Sequence, residues 1–262
     1  RASMSGRIPR TLATCTLATM IVTSGLLAQG PPGFPRRGGP PPSAQATAPL
    51  DLTGTWVSIV NEDWRWRMVT PQPGDYPGIL LTPPAQQIAN AWDPATDGSC
   101  LAFGAAALLR MPTRVRFSWE NERTLKLETD NGVQTRLLHF DPAAAPAGEP
   151  SLQGRSIAEW ARTSGAAPTM LAFPAPPRPG GSLKVVTTNL SGGWLRRNGV
   201  PYSNRATVTE YFDRFPVPNG GEWFVVTTVV EDPLYLVQRL VTSAHFRKEP
   251  DDAKWAPRPC RS

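Results

Sequence analysis

Thr113-Arg114-Val115-Arg116-Phe117-Ser118-Trp119, Glu120-Asn121-Glu122, Thr124-Leu125-Lys126-Leu127-Glu128-Thr129 and Asp130-Asn131-Gly132 come in close succession in mid-chain, and they decide its fold class. Successive side chains of an extended chain point to opposite faces, so strict apolar–polar alternation marks a half-buried strand. Val115, Phe117 and Trp119 share one face, while Arg114, Arg116 and Ser118 share the other. Leu125 and Leu127 then point inward, Lys126 and Glu128 outward. Asn-Gly supplies the positive φ angles of a type I′ turn. Asp130-Asn131-Gly132 therefore predicts a tight hairpin into a third strand at residues 133–140.

The same β-branched and aromatic enrichment extends outward from this meander. It predicts strands at residues 52–60 and 63–69 upstream, and at 183–189, 206–215, 222–230 and 235–246 downstream. Pro218-Asn219-Gly220-Gly221 reads as another hairpin turn. Thr82-Pro83-Pro84 followed by residues 85–92 reads as an N-cap, proline in the first turn and a short helix, stopped by Pro94. Residues 157–162 fit a helical turn or a strand, and residues 163–181, with five prolines, a long surface loop. Hairpin-linked strands with one apolar face must hide that face and their edges, which points to closure. The expectation is an all-β fold, a single antiparallel barrel over residues 50–262 with about nine or ten strands in up-and-down order.

Upstream of the barrel the composition changes twice. Arg7 and Arg10 precede an uncharged run at residues 11–28 that exits through Leu26-Leu27-Ala28, the outline of a secretory leader. Its eighteen residues also approach a membrane span, though five threonines weaken it, so residues 1–28 read as a signal peptide or an N-terminal anchor. Residues 29–49, rich in proline and glycine, read as a polyproline-type spacer. Both leader readings place the barrel outside the cytoplasm, in a periplasm or at a cell surface. Outside the leader, 24 basic face 21 acidic side chains, an evenly salted balance that argues against nucleic acid as a partner. Cys100 and Cys260 remain as an even pair, either a disulfide closing a very long loop or two separate thiols.

Asp51-Leu52-Thr53-Gly54-Thr55-Trp56 opens the barrel region with Gly-x-Trp. Leu81-Thr82-Pro83, Trp92-Asp93-Pro94, Arg110-Met111-Pro112, Asn198-Gly199-Val200-Pro201-Tyr202-Ser203 and the run from Val208 to Phe215 follow in order, closing with Val230-Glu231-Asp232-Pro233. This series resembles a group of uncharacterised bacterial exported proteins with a lipocalin-like, calycin-type barrel. The resemblance implies a β-barrel in which the tryptophan plugs the closed end. It brings no activity, so no catalytic residue is carried across.

Asp63-Trp64-Arg65-Trp66-Arg67-Met68 is the most unusual local run. Read as a strand, it puts Trp64, Trp66 and Met68 on one face, and Asp63, Arg65 and Arg67 on the other. That is either a tryptophan core stripe with a solvated charged face, or an aromatic cavity wall with arginine at the mouth to hold an anionic or carbonyl group. Trp64, Trp66, Arg65, Arg67, Phe117 and Trp223 are the candidate ligand-binding residues. His139 and His245 fall short of a zinc site, no Gly-x-Ser-x-Gly elbow exists, and no glycine-rich loop suggests a nucleotide. The paired acids Glu210/Asp213 could serve a glycosidase, but Glu210 reads more simply as a cross-strand partner of an arginine. No cofactor, metal or catalytic residue is expected.

Three functions fit: a barrel holding a small apolar or amphipathic ligand, a subunit of a membrane protein complex held by the anchor and proline arm, and a cofactor-free enzyme. The first is the leading expectation, with an open mouth and a lined interior.

Overall fold

The computed structural model describes residues 42–95, 100–146, 148–162, 180–218 and 220–260. The leader, residues 29–41 of the arm, residues 163–179 of the proline-rich loop and Asn219 of the second hairpin turn lie outside the described residues.

Nine strands close into a barrel. They are β1 (Gly54–Ile59), β2 (Arg114–Asn121), β3 (Thr124–Thr129), β4 (Thr135–His139), β5 (Arg155–Arg162), β6 (Gly181–Thr188), β7 (Thr207–Pro216), β8 (Glu222–Glu231) and β9 (Leu240–Lys248). Each pairs with its neighbours in sequence, and β1 closes the ring against β9, with Trp56 opposite Lys248 and Ile59 opposite His245. Residues 157–162 are thus settled as strand.

The expectation of a wholly antiparallel barrel is corrected at one seam. β4 and β5 run parallel, with Leu138 opposite Ser156 and His139 opposite Ile157. The reason is parity: directions that alternate around a closed ring need an even number of strands, and nine leaves one parallel pair. A parallel pair cannot be joined by a tight hairpin. The connection between β4 and β5 accordingly links opposite ends of the barrel, and it begins with a 3₁₀ turn at Pro142–Ala144.

The β3–β4 turn is also longer than expected. Positive φ falls on Gly132 (82°) and Val133 (49°) rather than on Asn131, and Asn131–Gly132 pairs in parallel with Arg258–Pro259 near the C-terminus. Only glycine fits at position 132, because a Cβ there would come within 2.1 Å of the Phe103 ring. The tail is held by a disulfide between Cys100 and Cys260, 160 residues apart.

Inward-facing side chains fill the lumen. Trp56, Phe117, Phe212, Phe224 and Phe246 are buried to within 1% of fully. Phe224 stacks on Phe246 at 4.6 Å and meets Trp56 edge-on at 5.0 Å, while Phe117 lies 5.9 Å from Phe212. Rings buried this way each contribute on the order of 2–3 kcal/mol from burial alone. At the near end, where β1 begins, Trp56 donates its indole N–H to Leu52 O at 2.7 Å. Residues 43–53 lie across this end, where Trp160 donates to Ala44 O (2.8 Å) and Gln45 N–H to Glu122 O (3.1 Å). The last residues assigned to the spacer therefore pack on the barrel.

At the far end a second apolar cluster forms around Leu190, Leu195, Val200, Tyr202, Val208 and Val230. It is covered by the helix Pro83–Asn90, which buries Ala85 and Ala89, and by a hairpin of Gly193–Arg196 and Val200–Tyr202. The expected helix is present with Thr82 at its N-cap, though the Thr82 hydroxyl donates to Leu234 O instead of capping it. Among the described residues no helix is long and apolar enough to cross a membrane.

Candidate ligand site at the far end of the barrel

Residues 63–68 are not a strand. Asp63 adopts φ 49°, and the N–H groups of Trp66, Arg67 and Met68 bond back to Asp63 O, Asp63 O and Trp64 O, making a helical turn over Trp64–Arg67. Six alternating residues are too short a window to separate the two periods, and tertiary partners decide here. Arg67 is pulled in by Glu62 and by Arg110 O, which accepts from Nε at 2.8 Å. The faces expected from alternation therefore do not form: Trp64 is 62% and Met68 54% exposed, Arg65 is exposed, Trp66 half-buried and Arg67 buried.

The six candidate residues thus separate. Phe117 is core, packed between Phe212 and Phe224. Trp223 is only partly covered, next to the inward-facing Phe224. Trp64 and Arg65 point outward from the turn. Trp66 and Arg67 come together with three arginines that the sequence reading did not single out as site residues: Arg110, Arg196 and Arg197. Their sequence signal is faint. Arg196-Arg197 sits in a tight hairpin between Gly192-Gly193 and Asn198-Gly199, a spacing that does not distinguish a buried basic pair from a solvated one.

Each arginine ties two loops together. Arg196 Nη2 donates to Pro77 O at 3.0 Å, Arg197 Nη2 to Arg67 O at 3.1 Å, and Arg110 Nη2 to Asp63 at 2.8 Å. Asn198, fully buried, donates to Gln72 O and Asp75 O and pins the intervening loop to the hairpin. The Arg196 guanidinium lies 4.8 Å from the centre of the Trp66 ring, in cation–π range, and the Trp66 indole N–H donates to Asp75 at 3.3 Å.

Burial pushes Arg196 down to about 10, with neighbouring Arg110 acting in the same direction. Burial also lowers Arg67 and Arg197, Glu62 opposing the shift at Arg67. Among the described residues neither Arg196 nor Arg197 has a carboxylate within ion-pair distance.

Two adjoining cavities use this wall. The larger, about 350 Å³, is lined by Trp66, Arg110 and Arg196 on its charged side, and by Ile79, Leu195 and Val241 among its apolar residues. The smaller, about 10 Å³, lies among Trp66, Arg67, Arg110, Arg196 and Arg197. Asp63 lines the larger one but is held by Arg110. His245 bonds Glu62 at 3.1 Å, and His139 lies 3.4 Å from the Thr124 hydroxyl near the other end. Among the described residues no group of three or more His, Cys, Asp or Glu side chains could hold a metal ion. Comparison with protein-family models, with curated proteins and with solved structures returned no match.

Proposed function

We propose that this chain is a binding module that takes a small amphipathic anion at the far end of its barrel rather than within the lumen. One observation carries the reading: a 350 Å³ cavity sets the stacked Trp66–Arg196 pair and Arg110 against an apolar wall of Ile79, Leu195 and Val241. Small-molecule sites combine mostly apolar walls with a few placed polar anchors, and this cavity has that composition. Arg196, with no carboxylate within ion-pair distance among the described residues, is the anchor for the anionic group. The aromatic-filled lumen leaves the ligand no room among Phe117, Phe212 and Phe224.

The barrel is read as lipocalin-like, with Trp56 buried at the end closed by residues 43–53 in support. The nine-strand count and the parallel β4–β5 seam are its departures from a wholly antiparallel barrel. An extracytoplasmic location is part of the same reading. Its support is the Cys100–Cys260 disulfide, since such bonds persist in oxidising compartments.

A second reading, a subunit that docks by this end onto a larger assembly, is favoured by the exposed Trp64, Met68, Val69, Leu80, Val237 and Val241. Titration with 8-anilinonaphthalene-1-sulfonate, an aromatic sulfonate, separates the two. Saturable binding that weakens at least tenfold in Arg196→Gln supports the ligand site. Binding unchanged in Arg196→Gln but lost in Leu80→Ser/Val237→Ser assigns the probe to an apolar docking face instead.

A further inference from the structure

The smaller far-end cavity has a composition that water alone does not balance. Four guanidinium groups wall it: Arg67, Arg110, Arg196 and Arg197. Arg67 and Arg196 are 3% and 8% exposed. Each of the four carries one buried N–H-bearing nitrogen without an acceptor among the described residues: Arg67 Nη2, Arg110 Nη1, Arg196 Nη1 and Arg197 Nε. Buried donors are nearly always satisfied, and unsatisfied ones mark a missing water or ion. One orphan nitrogen would be unremarkable; four from side chains lining one cavity are a pattern.

Charge chooses between water and ion. Among the described residues only Glu62 and Asp63 pair with these arginines, on Arg67 and Arg110, which leaves Arg196 and Arg197 without a carboxylate contact there. Burying an unpaired cation is costly, and a neutral water satisfies N–H groups without offsetting that cost. Size restricts the ion. The centre of a water-sized sphere has only about 10 Å³ in which to move there, room that suits a single-atom anion better than phosphate, sulfate or a carboxylate.

We propose that this cavity is a halide site, holding one chloride ion among Arg67, Arg110, Arg196 and Arg197. The ion sits behind the larger cavity, sharing Trp66, Arg110 and Arg196 with it, and fixes those side chains in place. Arg67 and Arg197 line the smaller cavity and not the larger, so Arg197→Gln probes the halide without removing an arginine of the ligand cavity.

The test uses purified protein exchanged into sodium gluconate, then titrated with sodium chloride or bromide at constant ionic strength. A halide that binds only the folded state raises the melting temperature by about 3–5 °C for each tenfold increase above its dissociation constant. That rise is expected in the wild type and absent in Arg197→Gln, which leaves both arginines of the larger cavity in place. Crystals grown in bromide should show one anomalous peak among the four arginines. A melting temperature equal in gluconate and halide, or a crystal without that peak, overturns the proposal. The crystal decides alone should Arg197→Gln not fold.

Discussion

Arg136 and Glu210 meet across the barrel lumen, Nη2 to Oε2 at 2.6 Å, with at most 1% of either side chain exposed. Arg136 stands on β4 and Glu210 on β7, so the pair is not a cross-strand neighbour contact. The two strands between them each add a hydroxyl, Ser156 from β5 and Thr187 from β6, at 3.4 and 3.1 Å from Arg136 Nη2. One polar row thus runs over four successive strands, including the parallel seam, between the aromatic layer and the far-end cluster. Breaking a buried pair leaves an unpaired charge, at a cost of about 3–5 kcal/mol, whereas an apolar replacement of both partners is often neutral. Urea denaturation should therefore show Arg136→Met and Glu210→Gln each strongly destabilised, and Arg136→Met/Glu210→Leu close to wild type. A double variant as unstable as the worse single would mean that the pair itself holds the seam.

His139 gives the fold a pH dependence. Burial lowers its pKa below the ordinary value of 6.5, and Arg155 acts in the same direction. As pH falls through 6.5 the unfolded chain takes up a proton that the folded chain resists, so this histidine's contribution to stability falls with pH. The urea midpoint should drop between about pH 7 and pH 5. His139→Gln should flatten that part of the profile; an unchanged slope would exclude His139 as its source.

The Cys100–Cys260 bond closes a loop spanning a sequence separation of 160 residues. In the chain-entropy model such a loop is worth about 5 kcal/mol. It also ties the tail, through the Arg258–Pro259 pairing, to the β3–β4 turn. Cys100→Ser/Cys260→Ser should lower the denaturant midpoint by a corresponding amount and expose the tail to proteolysis. A midpoint unmoved by reducing agent would mean that the bond does not restrain the unfolded chain.

Gly199 governs the hairpin that carries Arg196 and Arg197. Its φ is 75°, and a Cβ would fall 2.2 Å from Trp92. Gly199→Ala should cost roughly 1–3 kcal/mol and weaken the aromatic sulfonate, because a displaced hairpin moves Arg196. Intact binding in a destabilised Gly199→Ala would mean that the site does not depend on the hairpin's position.

Much of the barrel was legible where side chains alternate cleanly, as in Val115, Phe117, Leu125 and Leu127, all of which face the core. β4 shows why the remainder was not. It buries Arg136 and leaves Leu137 40% exposed, so the apolar pattern points the wrong way and only a carboxylate three strands along explains it. From the sequence Glu210 reads as a cross-strand partner of an arginine, whereas its arginine lies three strands away across the lumen, a relationship that strand pairing does not encode. The parallel seam depends on a global count of strands, which no local window carries. The far-end arginine cluster was half visible: Trp66 and Arg67 stood out, but in the wrong period. Arg110, Arg196 and Arg197 join them only because Pro77 O, Arg67 O and Asp63 accept their hydrogen bonds.

The most direct measurement is a crystal structure with 8-anilinonaphthalene-1-sulfonate bound. Density for the probe is expected at the far end, its sulfonate on Arg196 and its rings against Trp66, Leu195 and Val241. Density inside the barrel, with Phe117, Phe212 and Phe224 displaced to admit it, would contradict a filled lumen and return the ligand to the interior.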